Sequence, residues 1–335
     1  MPAPRLSLDI RVDALPYLKP FRISGHVFTE SLAVVVTLRD GDHQGRGEAA
    51  GVYYLKDDAP AMLSAIESVR AEIEGGVTQD MLQRLLPPGG ARNALDCALW
   101  ELEASRQGRP AWTLAGVPEP RPLTTTFTLG ADDPETMAES ARAWSVATNL
   151  KLKLTGELAA DTRRVEAVCA ARPDCWIGVD ANQGYSIETL PALVGMLAAN
   201  KVALLEQPLA RGRERDLEGF ASPIPIAADE SVLGLADVPA LVGRFSIVNI
   251  KLDKCGGLTE ALAMARLARE LGLGVMVGNM MGSSWAMAPA FVLGQLCDIV
   301  DLDGPTFLAT DRPDGVSYSD GTIWCPESVW GSGSL

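Results

Sequence analysis

The second part of this chain alternates apolar runs of strand length with stretches of about helix length. The eight runs lie at residues 124–130, 150–156, 175–182, 202–208, 224–231, 245–252, 273–280 and 297–304. Strands that alternate with crossover segments predict parallel β/α units, and eight such units close most naturally into a barrel. A doubly wound open sheet is the alternative fold. It fits less well, because the G-x-G-x-x-G fingerprint that usually follows its first strand is missing.

The first part of the chain predicts a separate α+β domain. Residues 31–38 are apolar and rich in β-branched residues, and a turn and a second short segment follow them, as in an antiparallel meander. Apolar residues recur every three or four positions from Ala59 to Glu74 and from Ala91 to Arg106, which predicts two amphipathic helices. We place the domain boundary at the proline-rich connector that begins at Pro118. The predicted division is a capping domain at 1–118, a barrel at 119–308 and a C-terminal segment at 309–335 that returns to the capping domain.

Composition and charge exclude several functions. Hydrophobic residues form 47% of the 335 positions, which is enough to fill two cores. The formal charge of -14 would repel phosphate backbones and anionic lipid surfaces, so we expect neither nucleic acid nor a membrane as a partner. No apolar run reaches the length of a membrane span, and the N-terminus lacks a signal-peptide core, so we expect a cytoplasmic enzyme. The six cysteines lie far apart, without the spacing of a zinc site.

Three acidic residues, Asp180, Glu206 and Asp229, come at the ends of successive predicted strands. The C-terminal strand ends of a β/α barrel meet at one face, and that face carries the chemistry. Carboxylates gathered from different strands suit Mg²⁺, which binds a few of them and keeps its other positions for water and substrate. The alternative is that each residue is an ordinary surface ion-pair partner. Strand periodicity alone does not choose between Asp229 and Glu230.

Lysines precede and follow the three acidic residues. Lys151 and Lys153 are two apart on one predicted strand and therefore share a face, where two ammonium groups would be costly unless something used them. The alternative is an edge strand with a solvated lysine face. Downstream, spacing leaves open a choice between Lys251 and Lys254. Since the only histidines, His26 and His43, precede the predicted barrel, lysine is a candidate for the acid–base chemistry there.

Several longer motifs occur in a fixed order. They are GRGEA at 45–49, ARNALDCALWELEASRQGRP at 91–110, LKLKL, GVDANQGY, LLEQPL, ADES and NIKLDKCGGLTEAL. Together they cover most of the chain and resemble the enolase superfamily, in its muconate-lactonizing subgroup, and most closely the dipeptide epimerases that include L-Ala-D/L-Glu epimerases. The resemblance implies an α/β fold: a modified TIM barrel, (β/α)7β-like, with an α+β N-terminal capping domain completed by the C-terminal tail.

The resemblance also implies roles for individual residues. It makes Asp180, Glu206 and Asp229 the Mg²⁺ ligands, with Lys153 and Lys254 as bases on opposite faces of the substrate. Such a pair would move the α-proton of a carboxylate by a 1,1-proton transfer through an enediolate, and so invert the α-carbon.

Supporting roles follow from the same resemblance. Lys151 would lower the pKa of the neighbouring amine, because a nearby cation disfavours the ammonium form. Asn182 would contact the metal ligands and not the ion itself, and Glu230 would position Lys254 through a hydrogen bond.

Substrate contacts are predicted less completely. In the resembling dipeptide epimerases, a pair like Asp301 and Asp303 meets the ammonium terminus of the dipeptide, and we place Thr128 with it. In Ala-Glu enzymes an arginine in the loop after the first strand meets the glutamate side chain, but here the loop at 22–30 has Gly25 and His26 at that place, and Arg22 lies earlier. His26, or an apolar pocket formed by Phe28, Tyr53 and Tyr54, could therefore favour a different side chain. We expect the aromatic residues Phe28, Tyr53 and Tyr54 to pack mainly within the capping domain.

Other functions stay open at this point. An N-succinylamino acid racemase, an o-succinylbenzoate synthase or a cycloisomerase would use the same metal and lysines, although the acidic pair Asp301 and Asp303 favours a free amine. A non-catalytic barrel that binds a small acid is the alternative of another class. The predicted partner is a small dipeptide, and assembly into a homo-oligomer is possible.

Overall fold

The computed structural model describes residues 5–23 and 26–333, with only the backbone described at 22, 23 and 26. The capping domain begins with an antiparallel sheet of three strands, in the order β1, β2, β3. Its strands are β1 (Ser7–Ile23), β2 (His26–Asp40) and β3 (His43–Ala49). Its helices are α1 (Ala59–Ser68), α2 (Arg70–Glu74), α3 (Gln79–Leu85), α4 (Gly90–Gln107) and α5 (Ala111–Leu114).

Helix α4 lies directly against strand β3, and glycines make this possible. A Cβ atom added at Gly45 would lie 2.0 Å from the Ala98 carbonyl oxygen, and one at Gly47 would lie 1.9 Å from that of Ala94. Only glycine allows such close backbone contact. The two glycines of the GRGEA motif are therefore explained by packing. Helix α4 is buried on both sides, because Leu95 belongs to the capping core and Cys97 to the barrel core.

The second domain is the predicted barrel. After β4 (Leu123–Thr124), eight parallel strands follow one another in sequence order. They are β5 (Thr126–Leu129), β6 (Asn149–Lys153), β7 (Trp176–Asp180), β8 (Leu204–Glu206), β9 (Ile226–Ala228), β10 (Ile247–Ile250), β11 (Gly274–Val277) and β12 (Ile299–Val300). Each lies within, or one residue from, a predicted run, so the barrel prediction is confirmed. The sequential strand order excludes the doubly wound sheet, whose strand order reverses at a switch point.

Helices connect most of these strands. They are α6 (Pro134–Ala143), α7 (Leu158–Ala171), α8 (Leu190–Ala199), α9 (Leu252–Cys255), α10 (Leu258–Glu270) and α11 (Ser284–Gly294). Short 3₁₀ helices replace an α-helix after β8, at Glu214–Leu217, and after β9, at Leu235–Leu241. No helix among the described residues has both the length and the apolar character that crossing a bilayer requires.

Side chains join the first and last strands of the barrel, since no backbone ladder connects β5 to β12 in the described ranges. The Thr126 hydroxyl donates to Asp301 Oδ1 over 2.5 Å, and the Thr128 N–H donates to Asp303 Oδ2 over 2.6 Å. The Leu302 N–H donates to the Thr125 hydroxyl over 3.0 Å. The acidic pair Asp301 and Asp303 therefore lies at the seam of the barrel.

The C-terminal segment contacts both domains. Strands β13 (Ser317–Ser319) and β14 (Thr322–Trp324) form an antiparallel sheet with β4 beside the barrel. Further on, the Trp330 indole N–H donates to the Arg46 carbonyl over 2.9 Å, and the Gly331 N–H donates to Glu101 Oε1 over 3.1 Å. The exact division at residues 118 and 308 stays a prediction.

Candidate active site

Three buried carboxylates meet at the C-terminal end of the barrel. Asp180 ends β7, Glu206 ends β8, and Asp229 follows β9 by one residue. Parallel register pairs Lys153 with Asp180 and Asp180 with Glu206, so these side chains come level on neighbouring strands. One oxygen from each acid lies within 4.8 Å of the others. We call Asp180, Glu206 and Asp229 the carboxylate trio.

Two lysines contact the trio from its two flanks. The Lys153 Nζ lies 2.6 Å from Asp180 Oδ2, and the Lys251 Nζ lies 2.7 Å from Asp229 Oδ2. Lys153 ends β6 and Lys251 follows β10, so the strands of the trio lie between them. Burial would lower the pKa of Lys251, but the negative charge of Asp229 and Glu206 outweighs it and raises that pKa.

Lys151 connects the trio to the barrel seam. Its Nζ lies 2.7 Å from Glu206 Oε2, 2.8 Å from Asp301 Oδ2 and 3.4 Å from Asp180 Oδ2. Burial lowers the pKa of this ammonium, but the three carboxylates outweigh burial and raise it well above its usual range. Lys151 therefore joins acidic side chains of two regions of the site through its ion pairs.

The trio has the properties of a cation site. Burial and the charge of Asp180 raise the pKa of Glu206 to about 8, which reflects the mutual repulsion of the acids. The Oε2 atom of Glu206 makes no hydrogen bond despite its closeness to Lys151, and the Oδ1 atoms of Asn182 and Asn249 likewise have no partner in the described part of the chain. Three close, buried carboxylates and nearby amide oxygens without hydrogen-bond donors suit a hard divalent cation, and the residues present therefore fit Mg²⁺.

A cavity of about 440 Å³ opens above the trio, and both domains line it. We call it the main cavity. The barrel contributes the lysines at 151, 153 and 251, the acids at 229, 230, 301 and 303, and Thr128, Asn182, Asn279, Met280 and Met281. The capping domain contributes Tyr17, Phe21, Phe28, Glu30, Ser31, Leu32, Ala50, Gly51, Tyr53, Tyr54, Asp57, Asp58, Ala59 and Pro60.

The structure places Lys254 behind the trio, away from the main cavity. Its side chain is 1% exposed, and its Nζ donates to the carbonyl and Oδ1 of Asp229, each over 2.6 Å, and to the Asn249 carbonyl over 3.0 Å. These acceptors take all three ammonium protons. Burial lowers the pKa of Lys254 although Asp229 opposes that shift.

Which of Lys251 and Lys254 acts as the second base stays a prediction, but of these two only Lys251 lies in the wall of the main cavity. The reason is local: the chain is extended at Lys251, and α9 begins at the next residue, so Lys254 lies within that short helix and its ammonium reaches back to Asp229. A signal for the placement of Lys251 at the cavity was present in the sequence. Lys251 directly follows an apolar strand, and the carboxylate trio likewise lies at or next to strand ends, whereas Lys254 is three residues further along.

Two predicted supporting contacts also differ. Glu230 lines the main cavity, but none of the hydrogen bonds of Lys254 goes to it, and its Oε2 has no partner within the described ranges. Burial and the neighbouring Asp229 raise the pKa of Glu230 to about 7. Asn182 supports the trio through its backbone, because its N–H donates to Asp180 Oδ1 over 3.0 Å. Its φ of 42° is a strained value that orients this amide.

The predicted substrate-binding residues are partly brought together. Asp301 and Asp303 both line the main cavity, but Asp301 is already engaged by Lys151 and Thr126, whereas Asp303 accepts from the backbone of Thr128. Burial and the charge of Asp301 raise the pKa of Asp303 to about 7. The side chain of His26 lies outside the described residues.

Sequence reasoning missed two asparagines. The Asn249 Nδ2 donates to Glu206 Oε1 over 2.9 Å, and the Asn279 Nδ2 donates to the Asp301 carbonyl over 2.7 Å. Each lies on or just after a barrel strand, which is the signal that could have found it.

The aromatic residues of the capping domain are part of the main cavity. The ring of Tyr53 lies 5.2 Å from those of Phe28 and Tyr54, and all three face the barrel opening. These rings therefore pack on one another within the capping domain, and they also line the main cavity, as an apolar substrate pocket would require. Tyr53 is 38% exposed, and the Tyr54 hydroxyl is buried without a partner in the described part of the chain.

Comparisons with known proteins agree with this arrangement. Residues 7–116 match the mandelate racemase / muconate lactonizing enzyme N-terminal domain, and residues 136–333 match the enolase C-terminal domain-like family. The fold and site thus define a class, and the chain belongs to the enolase superfamily, in its mandelate racemase / muconate lactonizing enzyme branch.

Individual relatives are more specific than the family models. The L-Ala-D/L-Glu epimerase of Escherichia coli (strain K12) is 40% identical over 313 residues, which cover 93% of this chain and 97% of that protein. An enolase family member from Agrobacterium tumefaciens, solved with sodium and L-Ala-L-Glu, is 37% identical with a TM-score of 0.93, over 97% of this chain and 100% of the other. A dipeptide epimerase from Methylococcus capsulatus, solved with Mg and L-Arg-D-Lys, is 29% identical with a TM-score of 0.90, over 99% of both chains.

Proposed function

We propose that this protein is a Mg²⁺-dependent dipeptide epimerase that inverts the α-carbon of the C-terminal residue. The observation that carries the proposal is the placement of Lys153 and Lys251. Both line the main cavity, and they contact opposite ends of a buried carboxylate trio. A substrate carbon held above the trio would have one amine on each of its two faces.

Asp180, Glu206 and Asp229 would hold the cation. Their close, buried oxygens support this, as does the relative from Methylococcus capsulatus that was solved with Mg. When bound, a divalent cation would stabilise the negative charge that develops on the substrate carboxylate as the α-proton leaves. It would also compensate the trio, whose oxygens now contact lysine ammonium groups.

The two lysines would exchange roles between the two directions of reaction. For an L residue, one lysine removes the α-proton in its neutral form, and the other, in its charged form, delivers a proton to the opposite face. The planar carbon formed between these steps has no handedness, so the face of protonation decides the product. Both amines are required in both directions, and this requirement distinguishes epimerisation from simple exchange at one face.

The acidic pair at the barrel seam supports a dipeptide over an N-acylated amino acid. Asp301 already pairs with Lys151, which leaves Asp303 as the carboxylate with fewer partners. A substrate ammonium beside Asp303 would stabilise its ionised form, because an opposite charge offsets the burial that raises its pKa to about 7. An acyl group would bring no such charge.

The described residues on the capping side of the cavity favour an apolar C-terminal side chain over glutamate. Among the described residues that line it, the only cations are Lys151, Lys153 and Lys251, and each contacts a carboxylate of the site. The capping side instead presents aromatic rings and the acids Asp57 and Asp58. A glutamate side chain would meet like charge there, so we propose apolar residues at this position.

The test is α-proton exchange in deuterated water. We expect the protein with Mg²⁺ to exchange and invert the C-terminal α-carbon of L,L-dipeptides, with L-Ala-L-Leu or L-Ala-L-Phe turned over faster than L-Ala-L-Glu, as followed by proton NMR. Absence of exchange with every dipeptide tested, or exchange of N-succinyl amino acids in preference to dipeptides, would contradict the proposal.

A further inference from the structure

A second cavity of about 330 Å³ lies beside the main cavity. Phe21 and Thr128 line both, so the two spaces are separated only by a shared wall. Its other apolar residues include Leu18, Met137 and Trp144. A cavity of this size is at the lower end of the range that binds small molecules or their side groups.

An irregular segment of strand β1 lines this space. Pairing of β1 with β2 shifts register between Pro16 and Phe21, which frees Leu18 from the ladder and leaves it 66% exposed. The displaced strand is fixed to the segment after β12. The Ala309 N–H donates to the Pro16 carbonyl over 2.8 Å, and the ring of Phe21 stands edge-on to that of Phe307 at 4.9 Å. Because bulges redirect side chains, the register shift accounts for the position of Leu18 in the wall of the second cavity.

The shared wall lies at the acidic pair of the main cavity. Asp303 accepts from the N–H of Thr128, one of the two wall residues, over 2.6 Å. The inference therefore rests on the proposed function, in which Asp303 faces the substrate ammonium. The first side chain of a dipeptide branches from the carbon that carries this ammonium, so that side chain lies close to Asp303, Thr128 and Phe21.

We propose that the second cavity is the subsite for the N-terminal side chain of the dipeptide. In this proposal Phe21 controls access from the main cavity to that subsite. The substrate class is dipeptides with a large apolar N-terminal residue, such as leucine, methionine or phenylalanine. Rotation of the Phe21 ring, which is 8% exposed, opens the way from the main cavity. The side chain then contacts Leu18, Met137 and Trp144 and is removed from water.

Substitution at Ser140 tests the subsite. Ser140 is half-buried on α6 and lines the second cavity, so Ser140→Trp fills it. Its neighbour Glu139 is exposed, so Glu139→Trp is the matched control. The measurement is the ratio of kcat/KM for L-Phe-L-Leu to that for L-Ala-L-Leu. We expect Ser140→Trp to lower this ratio about tenfold or more, and Glu139→Trp to keep it within about twofold of the wild type.

Removal of the shared wall gives the opposite result. Phe21→Ala is expected to raise the same ratio about tenfold. If circular dichroism shows that Ser140→Trp is unfolded, the Phe21→Ala variant alone tests the proposal. The proposal is overturned if the wild-type protein turns over L-Ala-L-Leu but not L-Phe-L-Leu, or if the ratio stays unchanged in the folded variants. Failure to exchange any dipeptide would instead contradict the proposed function, so the two failures are distinguishable.

Discussion

The two sides of the main cavity are built differently. On the barrel side, Lys153, Lys251 and the carboxylate trio lie at or within one residue of strand ends and form ion pairs, as Lys153 does with Asp180 and Lys251 with Asp229. On the capping side, aromatic rings such as Tyr53 pack mainly on each other. The barrel side is therefore suited to proton transfer and cation binding, and the capping side to selecting the substrate.

The two sides are nevertheless connected next to Lys251. Asp253, two residues later, accepts from the backbone N–H groups of Ala50 and Gly51, each over 2.9 Å. Helix α4 adds a second contact, because the Arg92 Nη2 donates to the Cys255 carbonyl over 2.5 Å. The capping domain thus helps to position the short helix that follows the proposed base.

The largest expected effect is on the barrel side, at Lys153. Arginine keeps the positive charge beside Asp180 but cannot lose its proton, so Lys153→Arg removes the base while it preserves the ion pair. We expect interconversion of dipeptide epimers to fall by at least about 10³-fold. Optical rotation or NMR of the product measures this, and activity within tenfold of the wild type would remove Lys153 from the mechanism.

The second largest effect is expected from loss of a trio carboxylate. Asp229→Asn leaves Lys251 and Lys254 without their charged partner and removes one proposed ligand. We expect Mg²⁺ affinity to fall by about 100-fold or more, as measured by calorimetry on chelator-treated protein. Asp42→Asn, at an exposed turn, is the matched control and should bind as the wild type does. Equal affinities in the two variants would show that the trio is not the cation site.

Substitution of Lys254, also on the barrel side, is expected to change the stability of the protein. Lys254→Met removes the buried donor of the Asp229 carbonyl and Oδ1 and of the Asn249 carbonyl, so we expect the free energy of unfolding to fall by about 3 kcal/mol. Urea denaturation measures it. The exposed Lys201→Met is the control, with an expected change below about 0.5 kcal/mol. A Lys254 variant as stable as the control would mean that this buried ammonium contributes little.

The smallest effect is expected on the capping side. Tyr53→Ala removes a ring that contacts Phe28 and Tyr54, and we expect KM for L-Ala-L-Leu to rise about tenfold while kcat stays within twofold. Tyr53→Phe keeps the ring and should retain the wild-type KM. A fall in kcat with KM unchanged would place Tyr53 in the chemical step and so remove the distinction between the two sides.

The same contrast explains how much the sequence could predict. Strand ends are visible as apolar runs, and parallel register then brings Asp180, Glu206 and Lys153 together without further information. The placement of Lys251 and Lys254 depends on the residue at which α9 begins, which strand periodicity does not reveal, although the apolar strand directly before Lys251 pointed to that residue. An aromatic pocket was open as an alternative, but the position of Tyr53 opposite the barrel depends on contacts between residues distant in sequence and could not be derived from its neighbours.

The central claim is that Lys251, together with Lys153, moves the proton, while Lys254 holds the trio in place. Lys251→Arg and Lys254→Arg test it side by side, because each keeps the charge and neither arginine can act as a base. The measurement is inversion of L-Ala-L-Leu in deuterated water with Mg²⁺, with cation binding verified by calorimetry for each variant. We expect no inversion with Lys251→Arg and measurable inversion with Lys254→Arg. Inversion that survives in Lys251→Arg and is lost in a Lys254→Arg protein that still binds the cation would contradict the account.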